Sequence, residues 1–487
     1  MITKKSPTLF QALLPILVLM GLIALNVFVS PDDTLGGANQ LSLILASAVG
    51  MSIALYNGVA WQHILDRVVH TVSSATSSLL ILFIIGILSG TWMLSGVVPT
   101  MIYYGLDIIN PSFFLPAAII LSSIISVTIG SSWSTVATIG VALLGIGRAL
   151  GFDDGVIAGA IISGAYFGDK VSPLSDTTNL ASAIAKVPIF THIKYMMQTT
   201  IPSFLVALAL FILISLFGST KTLGASQNEM QSVIDSYYNI SPFLLLVPLT
   251  VVWMIAKRYP TVIVLLIGGL LGAVAALVAQ PQIVAKLAGE TSLTFEGAYT
   301  VITRAMYGTT TAQTGSSAVD SLLTTGGMAG MLNTVWLILS AMIFGGVLEA
   351  GHLLEKIVST VSRKVKSPGM AVTTTSGACV LFNLTTGDQY MAIVVPGKMF
   401  AKLFTRLKLR PELLSRTLED SGTVTSVLIP WNTCGATQAA ILGVATLSYA
   451  PFAFFCYLSP LTTILFAWLK IKIKPLEENE NEDTSID

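Results

Sequence analysis

Charge is scarce in this chain. Of its 487 residues, 10% are Asp, Glu, Lys or Arg, against about 25% in an ordinary soluble domain. So few ionised groups cannot cover a soluble surface, so most of the exterior must face lipid. There is no excess of positive charge either. The 25 basic residues balance 25 acidic ones, which removes the electrostatic footprint of a nucleic-acid binder. Cysteine is nearly missing. Cys379, Cys434 and Cys456 are odd in number, far apart and set among small or apolar neighbours. They suggest neither a disulfide framework nor a zinc site, and read as buried free thiols. No Gly-x-x-x-x-Gly-Lys-Ser/Thr phosphate loop is present, and the short loops leave no room for a nucleotide domain. A primary pump is therefore disfavoured, and no cofactor is expected.

What the chain has in quantity is long apolar sequence: 53% of residues are hydrophobic. Runs that span or nearly span a bilayer lie at about 9–29, 41–57, 78–98, 113–130, 200–217, 243–256, 261–279, 332–350, 370–384 and 450–469. Four more, 134–150, 155–167, 388–403 and 434–449, are interrupted by Gly, Ser, Thr or charge. The first run is too long for a signal-peptide core and has no Ala-x-Ala site, so it reads as a membrane helix. The sum is an all-α polytopic membrane protein with about 11–13 membrane elements, some of them incomplete. The predicted organisation is an N-terminal helix and loop (1–39), a first transport repeat (40–217), a linker with a connecting helix (218–259), a second repeat with the last helix (260–474), and an acidic, disordered tail (475–487). Lys4 and Lys5 precede the first span and Lys470, Lys472 and Lys474 follow the last, which predicts cytoplasmic termini.

The repeat shows as self-similarity. A shift of 257 residues lays Pro111 on Pro368, Thr128 on Thr385, Gly130 on Gly387 and Pro173 on Pro430. Two interrupted segments also fall at corresponding places. Residues 129–135 (Ile-Gly-Ser-Ser-Trp-Ser-Thr) lie opposite 385–390 (Thr-Thr-Gly-Asp-Gln-Tyr), and 169–179 lie opposite 426–436. Paired Gly/Pro interruptions in the two halves are the sequence mark of a transporter binding site. Irregular backbone at membrane depth is tolerated only where protein buries it or water reaches it. Its free N–H and C=O groups can then face an ion. The plainer alternative is a pair of kinked structural helices, but polar oxygens crowd both interruptions.

Charges inside such segments are costly and usually functional. Asp169 and Asp176 flank Pro173, with Ser172, Ser175, Thr177, Thr178 and Asn179 around them. A small hard cation such as Na+ needs a cage of such oxygens, and a carboxylate in that cage can hold the cation or a proton. That competition suffices for exchange. The plain alternative for Asp169 is a salt bridge to Lys170. Asp388 and Gln389 occupy the corresponding break in the second half, where Asp388 could instead cap the following helix. Asn432 and Thr433 stand in the places of Ser175 and Asp176 and would offer neutral oxygens. Glu349, at the end of 332–350, is a candidate proton carrier or an interfacial partner of Lys356. Glu419 and Asp420 follow a basic stretch and read as interfacial. Lys398, Lys402, Arg406, Lys408 and Arg410 read as a positive-inside cluster.

Residues 164–181, Gly-Ala-Tyr-Phe-Gly-Asp-Lys-Val-Ser-Pro-Leu-Ser-Asp-Thr-Thr-Asn-Leu-Ala, resemble the signature segment of NhaC-type Na+/H+ antiporters, a family that includes malate/lactate-type antiporters. The segments 314–328, Phe-Gly-Gly-Val-Leu-Glu (344–349) and Thr-Gly-Asp-Gln-Tyr (386–390) are similar to family features as well, and the likeness runs from about 9 to 470. Thr325 departs from it, standing where the pattern carries a basic residue. The resemblance implies two inverted repeats with broken helices and re-entrant hairpins, a homodimer, and a place in the bacterial cytoplasmic membrane. It places Asp169 and Asp176 on the acidic positions of the signature and Asp388 on that of the second-half motif.

The function expected is exchange of Na+ for H+ by alternating access, with Na+ and H+ competing at buried aspartates and with Asp169, Asp176 and Asp388 as the Na+ ligands. A Na+/H+-coupled antiporter of small carboxylates is the alternative, for which Lys170 is the one nearby cation. An intramembrane aspartyl protease is a distant third: Gly168-Asp169 matches a Gly-Asp pair, but such an enzyme has no use for repeated broken helices.

Overall fold

A bilayer offers backbone groups no partner but one another, so apolar runs become helices. The computed structural model describes residues 5–29, 37–108, 110–217, 227–312, 314–315, 320 and 323–473. Lys4, Lys474, the acidic tail and part of the 314–328 segment lie outside them. The helices that matter below are α1 (Leu9–Val29), α2 (Ala38–Tyr56), α3 (Trp61–Ser74), α4 (Thr76–Leu94), α5 (Phe114–Ile129), α6 (Asp154–Val171), α7 (Asp176–Ile184), α8 (Ile189–Phe217), α9 (Thr261–Ala279), α10 (Leu332–Ala350), α11 (Pro368–Thr386), α12 (Gln389–Arg406), α13 (Pro411–Leu418), α14 (Thr433–Leu442) and α15 (Phe454–Trp468). The strands are two antiparallel pairs of threonines, Thr310–Thr311 and Thr324–Thr325.

Among the described residues, seven helical stretches are long and apolar enough to cross a bilayer, or up to nine if each of two bent pairs makes one span. The difference from the expected 11–13 lies in the interrupted segments. Helices α6, α7, α12 and α14 begin or end at breaks and carry charge or hydroxyls, so length and apolarity do not single them out. The stretch expected as a linker with a connecting helix holds two helical segments among its described residues. Within it a helix, Gln227–Tyr237, bends by 91° into Pro242–Ala256, and Met230 and Ile234 are buried in the core.

Two large apolar clusters hold the bundle together. One centres on α5 and α6; the other centres on α10, α11 and α12. Helices α5 and α6 approach so closely because α6 turns glycines toward α5. A Cβ on Gly164 would stand 2.2 Å from the Ile119 carbonyl oxygen, and one on Gly168 would stand 2.4 Å from that of Ser123. Gly164→Ala should therefore force the helices apart and destabilise the protein by about 1–3 kcal/mol. Heating detergent-solubilised protein would measure this. Gly377→Ala is the control, since a Cβ there meets nothing within 4 Å, and its melting temperature should match wild type.

Candidate functional site

Each break is built from residues that end one helix and cap the next. Gly130 closes α5 in the left-handed region (φ 74°) and Gly387 closes α11 likewise (φ 64°), a conformation that costs glycine least. The next residue caps in both halves. The Ser131 hydroxyl accepts from the Ser134 N–H, and Asp388 Oδ1 accepts from the N–H groups of Tyr390 and Met391 at 2.6 and 3.1 Å. Further on, α6 ends at Ser172 and Ser175 caps α7, while Asn432 caps α14 through Cys434 N–H at 3.0 Å.

Tertiary contacts repeat at the same offset of 257. The Ser126 hydroxyl donates to the Ala165 carbonyl at 2.6 Å, and Asn383 Nδ2 donates to the Gly422 carbonyl at 2.7 Å. A Cβ on Gly130 would strike Leu174, and one on Gly387 would crowd the Trp431 carbonyl oxygen. In each half, then, the glycine of the first break sits against the second break. The sequence self-similarity is also a similarity of local geometry.

Three of these four breaks meet at a cavity of about 290 Å³; the one at Asn432 stands behind it. Its lining carries the carboxylates of Asp169 and Asp176, the hydroxyls of Ser74, Ser77, Ser78, Ser131, Ser132, Ser175 and Thr177, and Gln389 with Tyr390. No Lys, Arg or His is among the described residues that line it. Asp169 is 7% exposed; its Oδ2 accepts from the Ser132 hydroxyl at 2.7 Å and from the Ser132 N–H at 3.1 Å. Asp176, expected to be buried like Asp169 and Asp388, is exposed, because it opens α7 with its side chain turned to the cavity rather than into the protein.

The remaining predicted residues stand back from the cavity lining. Ser172 donates to the Val127 carbonyl, Thr178 to that of Lys170, and Asn179 to those of Pro173 and Ser175. Asp388 is buried as the α12 cap, while its neighbours Gln389 and Tyr390 reach the cavity. Asn432 donates to Asn383, and the Thr433 N–H donates to the Gly387 carbonyl at 2.8 Å, so these two lock the second-half breaks together. Glu349 pairs with Arg67 of α3 at 3.2 Å rather than with Lys356.

One expectation is corrected outright, and one alternative falls. Glu419 and Asp420 are not interfacial: both are fully buried, in a π-helical turn, Glu419–Thr423, that follows α13. Lys170 pairs not with Asp169 but with Asp420, and it also donates to Ser459 of α15 at 2.7 Å. Asp420 Oδ2 accepts from Thr199 of α8 at 2.7 Å, so this ion pair knits four elements. The sequence carries no local signal for it, since the partners stand 250 residues apart.

The model of the Na+/H+ antiporter family matches residues 164–471. The chain belongs to this family. Members similar to it include the Na+/H+ antiporter NhaC of Alkalihalophilus pseudofirmus, 36% identical over 96% of this chain and 97% of that one. The malate-2H+/Na+-lactate antiporter of Bacillus subtilis is 35% identical, covering 95% of each chain. The arginine/ornithine antiporter ArcD of Halobacterium salinarum is also 35% identical, over 98% of this chain and 96% of that one. A member of the Na+/H+ antiporter family with seven to nine membrane-length apolar helices is a multi-pass membrane protein. The span matched by the family model takes in Asp169, Asp176, Asp388, Glu419 and Asp420; the first break, with Ser131 and Ser132, lies upstream of it.

Proposed function

We propose that this protein exchanges Na+ for H+ across the bacterial cytoplasmic membrane by alternating access of the Asp169/Asp176 cavity. One observation carries the reading: two carboxylates and a ring of hydroxyls line a single cavity that has no basic side chain among its described lining residues. Oxygen donors of that kind suit a hard cation. Asp169 and Asp176 are the ligands that can hold Na+ or a proton, and their switching between the two drives the cycle. Asp388, Asn432 and Thr433 act at one remove. They fix the start of α12, which delivers Gln389 and Tyr390 to the cavity. The repeated local geometry supports two inverted repeats that rock about this cavity, and the family resemblance supports a homodimer.

A relative's name, the malate-2H+/Na+-lactate antiporter of Bacillus subtilis, raises carboxylate exchange as a second reading. It would need a cation at the site. Lys170, the expected candidate, is fully buried, committed to Asp420 and absent from the cavity lining. The Na+ reading is therefore favoured.

The test uses purified protein in liposomes enclosing a pH-sensitive dye. Adding Na+ outside should move protons with wild type, and Asp176→Asn should reduce that movement at least tenfold. A wild type that ignores Na+ but responds when malate or lactate is added would replace this reading with the carboxylate one.

A further inference from the structure

Among the described residues, Glu419 is the one buried carboxylate in contact with a cavity-lining side chain that the proposed exchange does not use. It is fully buried, on the π-helical turn Glu419–Thr423. A buried acid in a membrane protein is costly, and one of its oxygens, Oε2, meets no hydrogen-bond donor within 3.5 Å in good geometry among the described residues. The other oxygen is engaged. Glu419 Oε1 accepts from the Thr177 hydroxyl at 3.0 Å, and the Thr177 and Ser175 hydroxyls lie 3.1 Å apart. Ser175 caps α7, and both hydroxyl residues line the cavity beside Asp176. Glu419 itself does not line it.

The π turn explains how one short segment reaches two targets. Adding a residue to a helical turn re-aims the side chains around it. Asp420 meets Lys170 at the end of α6, and Glu419 meets Thr177 at the start of α7. The segment between them, Val171–Asp176, is the break that carries the site. A turn from the second half thus grips both sides of a break in the first.

We propose that Glu419 is a positioning residue of the ion site: by accepting from Thr177 it holds Thr177, Ser175 and the first turn of α7 where Asp176 faces the cavity. This assignment rests on the Na+/H+ reading above. It predicts a role for the acceptor oxygen, not for the charge. Glutamine keeps that oxygen and alanine removes it.

The experiment measures proton movement against Na+ concentration in proteoliposomes. Glu419→Ala should raise the apparent KM for Na+ roughly tenfold or more, with a smaller change in maximal rate. Glu419→Gln should stay within about threefold of wild type. Thr177→Val should reproduce the alanine effect, Thr177→Ser should not, and the Glu419→Ala/Thr177→Val pair should be no worse than either single change. Should Glu419→Ala fail to fold, Glu419→Met, which keeps the volume but not the acceptor oxygen, takes its place against Glu419→Gln. A glutamine variant as impaired as alanine, a Thr177→Val protein with wild-type KM, or additive effects would each overturn the assignment while leaving the exchange reading intact. A wild type that moves no protons with Na+ would overturn both.

Discussion

Asp169→Asn is expected to silence Na+-driven proton movement in proteoliposomes while the purified protein keeps its melting temperature. Asparagine matches the shape of aspartate, and its oxygen can still accept from Ser132, whose hydroxyl and N–H now both point at Asp169 Oδ2. It cannot carry the charge that holds a cation or take up a proton. Removing one member of a buried, hydrogen-bonded charge contact costs about 2–5 kcal/mol, or roughly 30-fold to several thousand-fold in affinity. Exchange should fall to the level of empty liposomes at Na+ concentrations that saturate wild type. Asp388→Asn is the discriminating companion. Asparagine caps a helix about as well as aspartate, and Asp388 does not line the cavity, so that variant should retain most of the activity. Equal damage from both changes would mean that Asp388 touches the ion directly.

The second large effect concerns stability. Lys170→Met strands Asp420 as a fully buried carboxylate with only Thr199 and Ser459 as partners. Breaking a buried ion pair from one side costs about 3–5 kcal/mol, whereas replacing both partners by apolar groups is often neutral. Lys170→Met should therefore melt well below wild type in detergent, and Lys170→Met/Asp420→Leu should recover most of the loss. A double variant as unstable as the single one would show that the pair contributes more than mutual neutralisation, through Thr199 and Ser459. Because Lys170 lies beside Asp169, the double variant also separates a structural role of the pair from one in transport.

Much of this site was legible in the sequence, and the reason is local. Gly130, Ser131, Pro173, Ser175 and Asp176 break or cap helices by their own chemistry, so a linear reading finds them and an offset of 257 finds their counterparts. The grouping of Asp169, Ser175, Asp176, Thr177 and Gln389 around one cavity followed from placing those breaks together. What escaped was non-local. Ser74, Ser77 and Ser78 line the cavity from the end of α3 and the start of α4, where serines in an apolar context read as ordinary helix residues. Glu419 and Asp420 sit next to a basic stretch, which resembles a membrane edge; only the π turn and the partners Lys170 and Thr177 turn them inward. Arg67 as the partner of Glu349 escaped for the same reason: the two are 282 residues apart.

The pairing of Lys170 with Asp420 also bears on how the protein is made. A ribosome adds about 5–20 residues per second, so the 250 residues between the partners separate their synthesis by roughly 12–50 seconds. For that interval Lys170 of α6 waits without Asp420. The nascent first half must hold Lys170 at a wet or protein-covered position until the π turn arrives. A chain truncated before Asp420 would lack this partner of Lys170 permanently.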